Sequence, residues 1–180
     1  PRRNPSTPSP LRASPMPEII LQVTKRVNSF RPKPVSGIKA NLQDDKKMAT
    51  AYMWLYSTEN LLREIIRKAM VQEQDWWDKR VNPDLKKKVE GAKIDYPYDG
   101  AKRRDELEYT HLGQLMEIII AKNNWGLFAL FLNERDKDKF RAIISKAIPS
   151  RNSIAHCTPL SAEDFRVVEI RFKDILNMVK

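Results

Sequence analysis

Arg151-Asn152-Ser153-Ile154-Ala155-His156 gathers a permanent cation, an amide and an imidazole within six residues. Arginine presents a planar charged fork that matches phosphate, and histidine exchanges protons near neutral pH. Together these groups point to phosphodiester chemistry. On a continuous helix Asn152 and His156 stand four residues apart and share a face, while Arg151 lies well round the cylinder and must swing toward it. The helix is expected to end near His156, because Cys157-Thr158-Pro159 continues it poorly. The same spacing also fits a structural role, with Arg151 in an ion pair, Asn152 capping locally and His156 satisfied at an interface.

Other reactive side chains are few. Cys157 is the single cysteine, so it forms no internal disulfide and suits a reducing, cytoplasmic setting. No basic cluster or helix start activates it as a nucleophile. His111 opens a helical stretch and reads as an exposed or capping residue. With two histidines, one cysteine and no ligand-spaced cluster, neither a metal nor a cofactor is expected.

The elements that must position the hexapeptide are helical. Tyr52, Leu55, Tyr56, Leu62, Ile66, Ala69 and Met70 form an apolar stripe predicting a helix from about Lys46 to Gln72. Glu59 falls within that stripe, where a buried carboxylate requires a partner. Arg63, one turn on, is the local choice and Arg151 the remote one. Trp76 and Trp77 follow and are expected to pack into the core rather than stack on bases. A basic helix is predicted from Asp84 to about Ile94, carrying Lys86, Lys87 and Lys88 on a solvated face. Pro97, Gly100 and the run 102–106 read as a surface connection.

Leu112, Leu115, Met116, Ile119 and Ile120 predict a strongly amphipathic helix, and Trp125, Phe128 and Leu132 a short one after Asn123-Asn124. Phe140, Ile143, Ile144, Ala147 and Ile148 continue the pattern, with Pro149 expected to interrupt or restart the helix just before Arg151. Ser161-Ala162-Glu163-Asp164 reads as a capping start to a last helix bearing Phe165, Val168, Phe172, Ile175, Leu176 and Val179. The fold class is all-α, an up-and-down bundle.

The 180 residues carry a net charge of +10, unevenly spread. Residues 1–48 hold ten Lys or Arg against three acidic residues, and the remainder is close to balance. Residues 1–45 therefore read as a basic Pro/Ser-rich arm and linker, with one short helix or strand between Glu18 and Phe30, and 46–180 as the helical domain. Such an arm suits a phosphate backbone, an acidic partner or a solvated linker equally. No apolar run nears the roughly 18 to 20 residues that span a bilayer, so no membrane partner is expected. The first stretch lacks an apolar signal region, and a start at Pro1 suits a piece of a longer protein.

A helical bundle carrying Arg-x4-His, here R-N-S-I-A-H, resembles the HEPN superfamily, the higher eukaryotes and prokaryotes nucleotide-binding domains. Tyr56, Glu59, Leu62, Arg63 and Ile66 look like its early tyrosine and glutamate helix. Asp75-Trp76-Trp77 and the segment 159–164 look like the branch found in RNA-processing nucleases and abortive-infection proteins. The resemblance covers roughly 46–180. It implies a metal-independent endoribonuclease, acting as a homodimer in which two motifs face one another, as a defence or stress effector. It places Arg151 on the scissile phosphate, His156 as general acid or base, Asn152 as an orienting group and Glu59 as a supporting carboxylate, with Arg63, Lys86 and Lys87 toward the substrate RNA. The chemistry is sound: an internal 2′-hydroxyl is already in place, so proton transfer and charge stabilisation suffice. In the toxin branch paired with nucleotidyltransferase antitoxins a tyrosine stands two residues after the histidine; Thr158 stands here, which argues against that modification. The alternative is a non-catalytic HEPN module for dimerisation and for binding RNA or a partner.

Overall fold

The computed structural model describes residues 42–95 and 105–180, all within the compact unit 40–180. The arm 1–41, with its expected helix or strand, and residues 96–104 of the charged connection lie outside the described residues. What is described is all-α: seven helices and one 3-10 turn, with no strand beyond an isolated antiparallel bridge between Leu132 and Val179.

Helix α1 (Leu42–Met70) is the longest element and supplies one wall of the core. Ala51, Leu55, Thr58, Leu62 and Ile65 are buried at alternating spacings of four and three, with Ile66 four beyond Leu62, as one face of a helix requires. Tyr52 and Tyr56, expected in that stripe, are 56% and 62% exposed. Each follows a buried residue, and a single step turns a helical side chain by about 100°. Tyrosine tolerates that position because its hydroxyl end is polar.

Helix α2 (Trp76–Arg80) is a single short turn whose two tryptophans meet edge to face, ring centroids 5.5 Å apart, and pack against the core as expected. Helix α3 (Pro83–Asp95) buries Leu85 and Val89 and leaves Lys87 and Lys88 exposed. A 3-10 turn (Glu106–Tyr109), capped by the Asp105 carboxylate accepting from Leu107 N–H, leads into α4 (Leu112–Ile120). Helix α4 is apolar nearly all round, and seven of its nine residues are buried, so it runs through the middle of the bundle. After the one-turn α5 (Trp125–Phe128), α6 (Lys137–Ala155) packs on α4, and α7 (Ala162–Asn177) packs on both α6 and α1.

The ends of α6 and α7 are chemically marked. Asp136 Oδ1 accepts from the N–H groups of Asp138 and Lys139, closing the start of α6. Ser161 and Asp164 form the expected capping box on α7: Ser161 Oγ accepts from Asp164 N–H at 3.0 Å, and Asp164 Oδ2 accepts from Ser161 N–H at 3.2 Å. The chain end ties back to the segment after α5 through Asn133 N–H to Met178 O at 2.7 Å and Lys180 N–H to Phe131 O at 3.0 Å.

Candidate functional site

Helix α6 presents the hexapeptide on its last turns, and it does so without a break. Pro149 neither interrupts nor restarts it; the helix continues through to Ala155. Lacking an N–H, Pro149 gives up one backbone bond, while its carbonyl accepts from Ser153 Oγ at 3.2 Å. Packing on both sides holds this turn straight on. Ser150 and Ile154 are buried, and Ser150 Oγ accepts from Arg171 Nη1 of α7 at 3.0 Å.

The end of α6 is built as expected, and one detail of it was not. His156 is the C-cap, with its N–H bonded to Asn152 O. Thr158 N–H reaches Ser153 O at 2.9 Å and Cys157 N–H reaches Ile154 O at 3.0 Å, the paired bonds of a Schellman ending. That ending needs a left-handed residue after the cap. Cys157 fills it at φ 52° where glycine is usual, and its free thiol is exposed.

Arg151 turns toward α1. Its Nε donates to Glu59 Oε1 at 3.4 Å and its Nη1 to Asn152 Oδ1 at 3.4 Å. Glu59 is the hub of this region. Its Oε2 accepts from Arg63 Nη2 at 3.2 Å, and its Oε1 also accepts the backbone N–H of Leu112, at the start of α4, at 2.9 Å. A nearly buried carboxylate is thus held by two arginines and a helix N-terminus, the positive end of the helix dipole. Both partners read from the sequence for Glu59, the near one and the remote one, are used.

Arg63, placed toward the substrate by the resemblance, is buried and bonded within the fold. It is 7% exposed, and its guanidinium is occupied by Glu59, by Asn60 Oδ1, by Leu107 O at 2.9 Å and by Thr110 O at 2.6 Å. It clamps the turn before α4 onto α1, which sets where Leu112 meets Glu59. Lys86 is half-buried and donates to Asp78 O at 3.0 Å, whereas Lys87 is exposed on α3. Asn152 is exposed beside Arg151, and His156 is exposed with no side-chain hydrogen bond among the described residues.

Two residues read from the sequence as an exposed or capping histidine and a solvated lysine also bear on the site. His111 stands as N-cap of α4, its N–H bonded to Gln114 Oε1 at 3.0 Å. The residue is exposed overall, but its ring folds back over Gly113. A β-carbon placed on Gly113 would lie 3.4 Å from His111 Cε1, 3.6 Å from Nδ1 and 3.6 Å from Ile148 Cδ1, so the ring shares its space with the turn of α6 that precedes Arg151. Lost hydration and the charge of Arg151 hold this imidazole below the usual histidine range; Glu59 pulls the other way, and Lys88 of α3 adds to the lowering. The charges of Glu59, Arg151 and Lys88 all bear on His111. The available signal was chemical: the chain has two histidines, and phosphodiester transfer uses two proton carriers.

Among the described residues no helix is long and apolar enough to cross a membrane. Comparison with known proteins found no matching family model, no matching curated protein and no matching solved structure.

Proposed function

We propose that the chain is a metal-independent endoribonuclease of HEPN type, cutting RNA through Arg151 and His156 and acting in the cytoplasm as a stress or defence effector. The observation that carries this is the state of Arg151. A carboxylate positions it at 3.4 Å, yet its Nη2 has no partner among the described residues. An arginine placed but unsatisfied offers a pre-set fork to a phosphate, which is what stabilising a charged pentacoordinate transition state demands. Asn152, in contact with it, helps to orient the same phosphate, and His156 supplies proton transfer at the helix end. In the HEPN arrangement two copies bring their motifs together across a shared cleft, and this chain is proposed to do the same.

A second reading has its own support. Tyr52 and Tyr56 place exposed aromatic surface on α1 one and two turns before Glu59, which also suits an interface of a non-catalytic module that binds RNA or a protein partner.

Incubation of the purified protein with single-stranded RNA in EDTA separates the two. Cleavage leaving 2′,3′-cyclic phosphate ends is expected, and it should disappear in folded Arg151→Ala and His156→Ala. Undiminished cleavage by either variant contradicts the assignment, and tight binding without cleavage by the parent protein favours the second reading.

A further inference from the structure

Transesterification of RNA moves two protons. One leaves the attacking 2′-hydroxyl, and one must reach the departing 5′ oxygen, because an alkoxide is a poor leaving group. His156 can perform one of these transfers, and a second group is needed for the other. The charged and titratable groups at Arg151 and His111 include Glu59 and Arg63 from α1 and Lys88 from α3, with His111 itself at the start of α4, and the guanidinium of Arg63 is spent on Glu59 and backbone carbonyls. Glu59 is engaged by Arg63, by Arg151 and by the Leu112 N–H, three of the roughly four acceptor sites of a carboxylate. Lys88 is exposed on α3, and its ammonium donates hydrogen bonds but accepts none.

His111 has what is required. Its backbone is fixed by the Gln114 bond, and the next residue donates to Glu59. Its ring is seated over Gly113, which Ile148, one turn before Arg151 on α6, also approaches. Resting on the ribonuclease reading above, we propose that His111 is the general base of the site and His156 its general acid.

The step then balances. The His111 imidazole takes the 2′-hydroxyl proton as the 2′ oxygen bonds to phosphorus; the bond from phosphorus to the 5′ oxygen breaks, and that oxygen receives a proton from the His156 imidazolium. Products are a 2′,3′-cyclic phosphate and a free 5′-hydroxyl, with each histidine left in the other's starting state. Both residues are exposed, so water resets them. Arg151 holds the phosphate between them. Lost hydration first, and then the cations Arg151 and Lys88, lower the pKa of His111 against the opposing charge of Glu59, which is the direction a base requires.

The test uses the whole chain and a single-stranded oligonucleotide with one ribonucleotide in a 2′-deoxy background, in EDTA. His111→Asn keeps a good helix cap and removes the proton carrier. It is expected to slow cleavage by roughly 10² to 10⁴-fold with its thermal midpoint retained, and to abolish the acid limb of the pH–rate profile. That limb reflects protonation of His111 and lies below 6.5, the ordinary histidine value. Replacing the bridging 5′ oxygen by sulfur supplies a leaving group that needs no proton, which should restore His156→Ala and leave His111→Asn slow. Sulfur rescue of His111→Asn instead overturns the assignment of roles. Full activity in both His111→Asn and His111→Gln, with Arg151→Ala inactive, overturns the part given to His111 and leaves the nuclease reading intact. Full activity in Arg151→Ala and His156→Ala overturns the assignment of cleavage to this site, and no cleavage by the parent chain overturns the nuclease reading itself.

Discussion

Arg67 and Arg151 are almost equally accessible, at 27% and 24% of the side chain, and both meet carboxylates across the bundle. Their surroundings differ. Arg67 is gripped by Asp105 at 2.7 Å through Nε, by Glu108 at 2.6 Å through Nη2 and by Glu64 at 2.6 Å through Nη1. Hydrogen bonding to Asp105 drives its pKa upward against the opposing effect of burial, and every nitrogen has an acceptor. Arg151 has one carboxylate at 3.4 Å, a long bond to Asn152, and an Nη2 left over. The first arginine is saturated and belongs to the fold. The second is aimed and left open, which is the arrangement a ligand-binding cation needs.

Arg63 gives that contrast its hardest test. It sits against Glu59 as Arg151 does, yet it is buried and serves the fold. Arg63→Ala should lower unfolding free energy by about 2 to 5 kcal/mol, because the buried carbonyls of Leu107 and Thr110 lose their donor while Glu59 keeps Arg151 and the Leu112 N–H; urea titration followed by circular dichroism measures it. A loss below about 1 kcal/mol would place Arg63 among the surface pairs and remove the clamp on α4.

Arg67→Ala is expected to cost less, about 1 kcal/mol, because its partners are partly solvated. The loss should depend on pH. Burial raises the Asp105 carboxyl, but Arg67 and the N–H groups of Leu107 and Glu108 outweigh it and set it below the ordinary 3.8. A lowered carboxylate contributes stability that is fully present above its unfolded value and fades as pH falls through the folded one. The gap between parent and variant should therefore be constant near neutrality and shrink below about pH 3.8. A gap that persists in stronger acid would show that packing, and not charge, holds Arg67.

The smallest effect has the opposite sign. Cys157→Gly removes a side chain from a left-handed position and should raise stability by about 1 kcal/mol. Its activity then shows whether the geometry after His156 matters: full cleavage means the strained cysteine is incidental, and reduced cleavage means it sets the imidazole.

What could be read from the chain tracks how local each feature is. The stripe of α4, the capping box at Ser161 and the end of α6 at His156 depend on residues within one or two turns, and each was legible. Pro149 was read as a break because its missing N–H is a local cost, but α6 keeps its path through the packing of Ala147, Ser150 and Ile154, which no local rule contains. Arg63 was expected to face substrate since its acceptors are backbone carbonyls 44 and 47 residues away, and carbonyls leave no mark on sequence. Glu59 was legible as a charge needing partners because a carboxylate in an apolar stripe is conspicuous. His111 was not, because its place beside Arg151 follows from how α4 lies on α6.

The most direct measurement takes Arg151→Ala and Arg67→Ala through the same two assays, single-turnover cleavage of single-stranded RNA in EDTA and urea unfolding. The expected pattern is crossed: Arg151→Ala loses roughly 10² to 10³-fold in cleavage with its unfolding midpoint kept, and Arg67→Ala unfolds earlier while still cutting RNA at the parent rate. If Arg151→Ala cuts as fast as the parent, or if its cleavage falls only as far as its stability does, Arg151 is a second structural arginine and the proposed site is wrong.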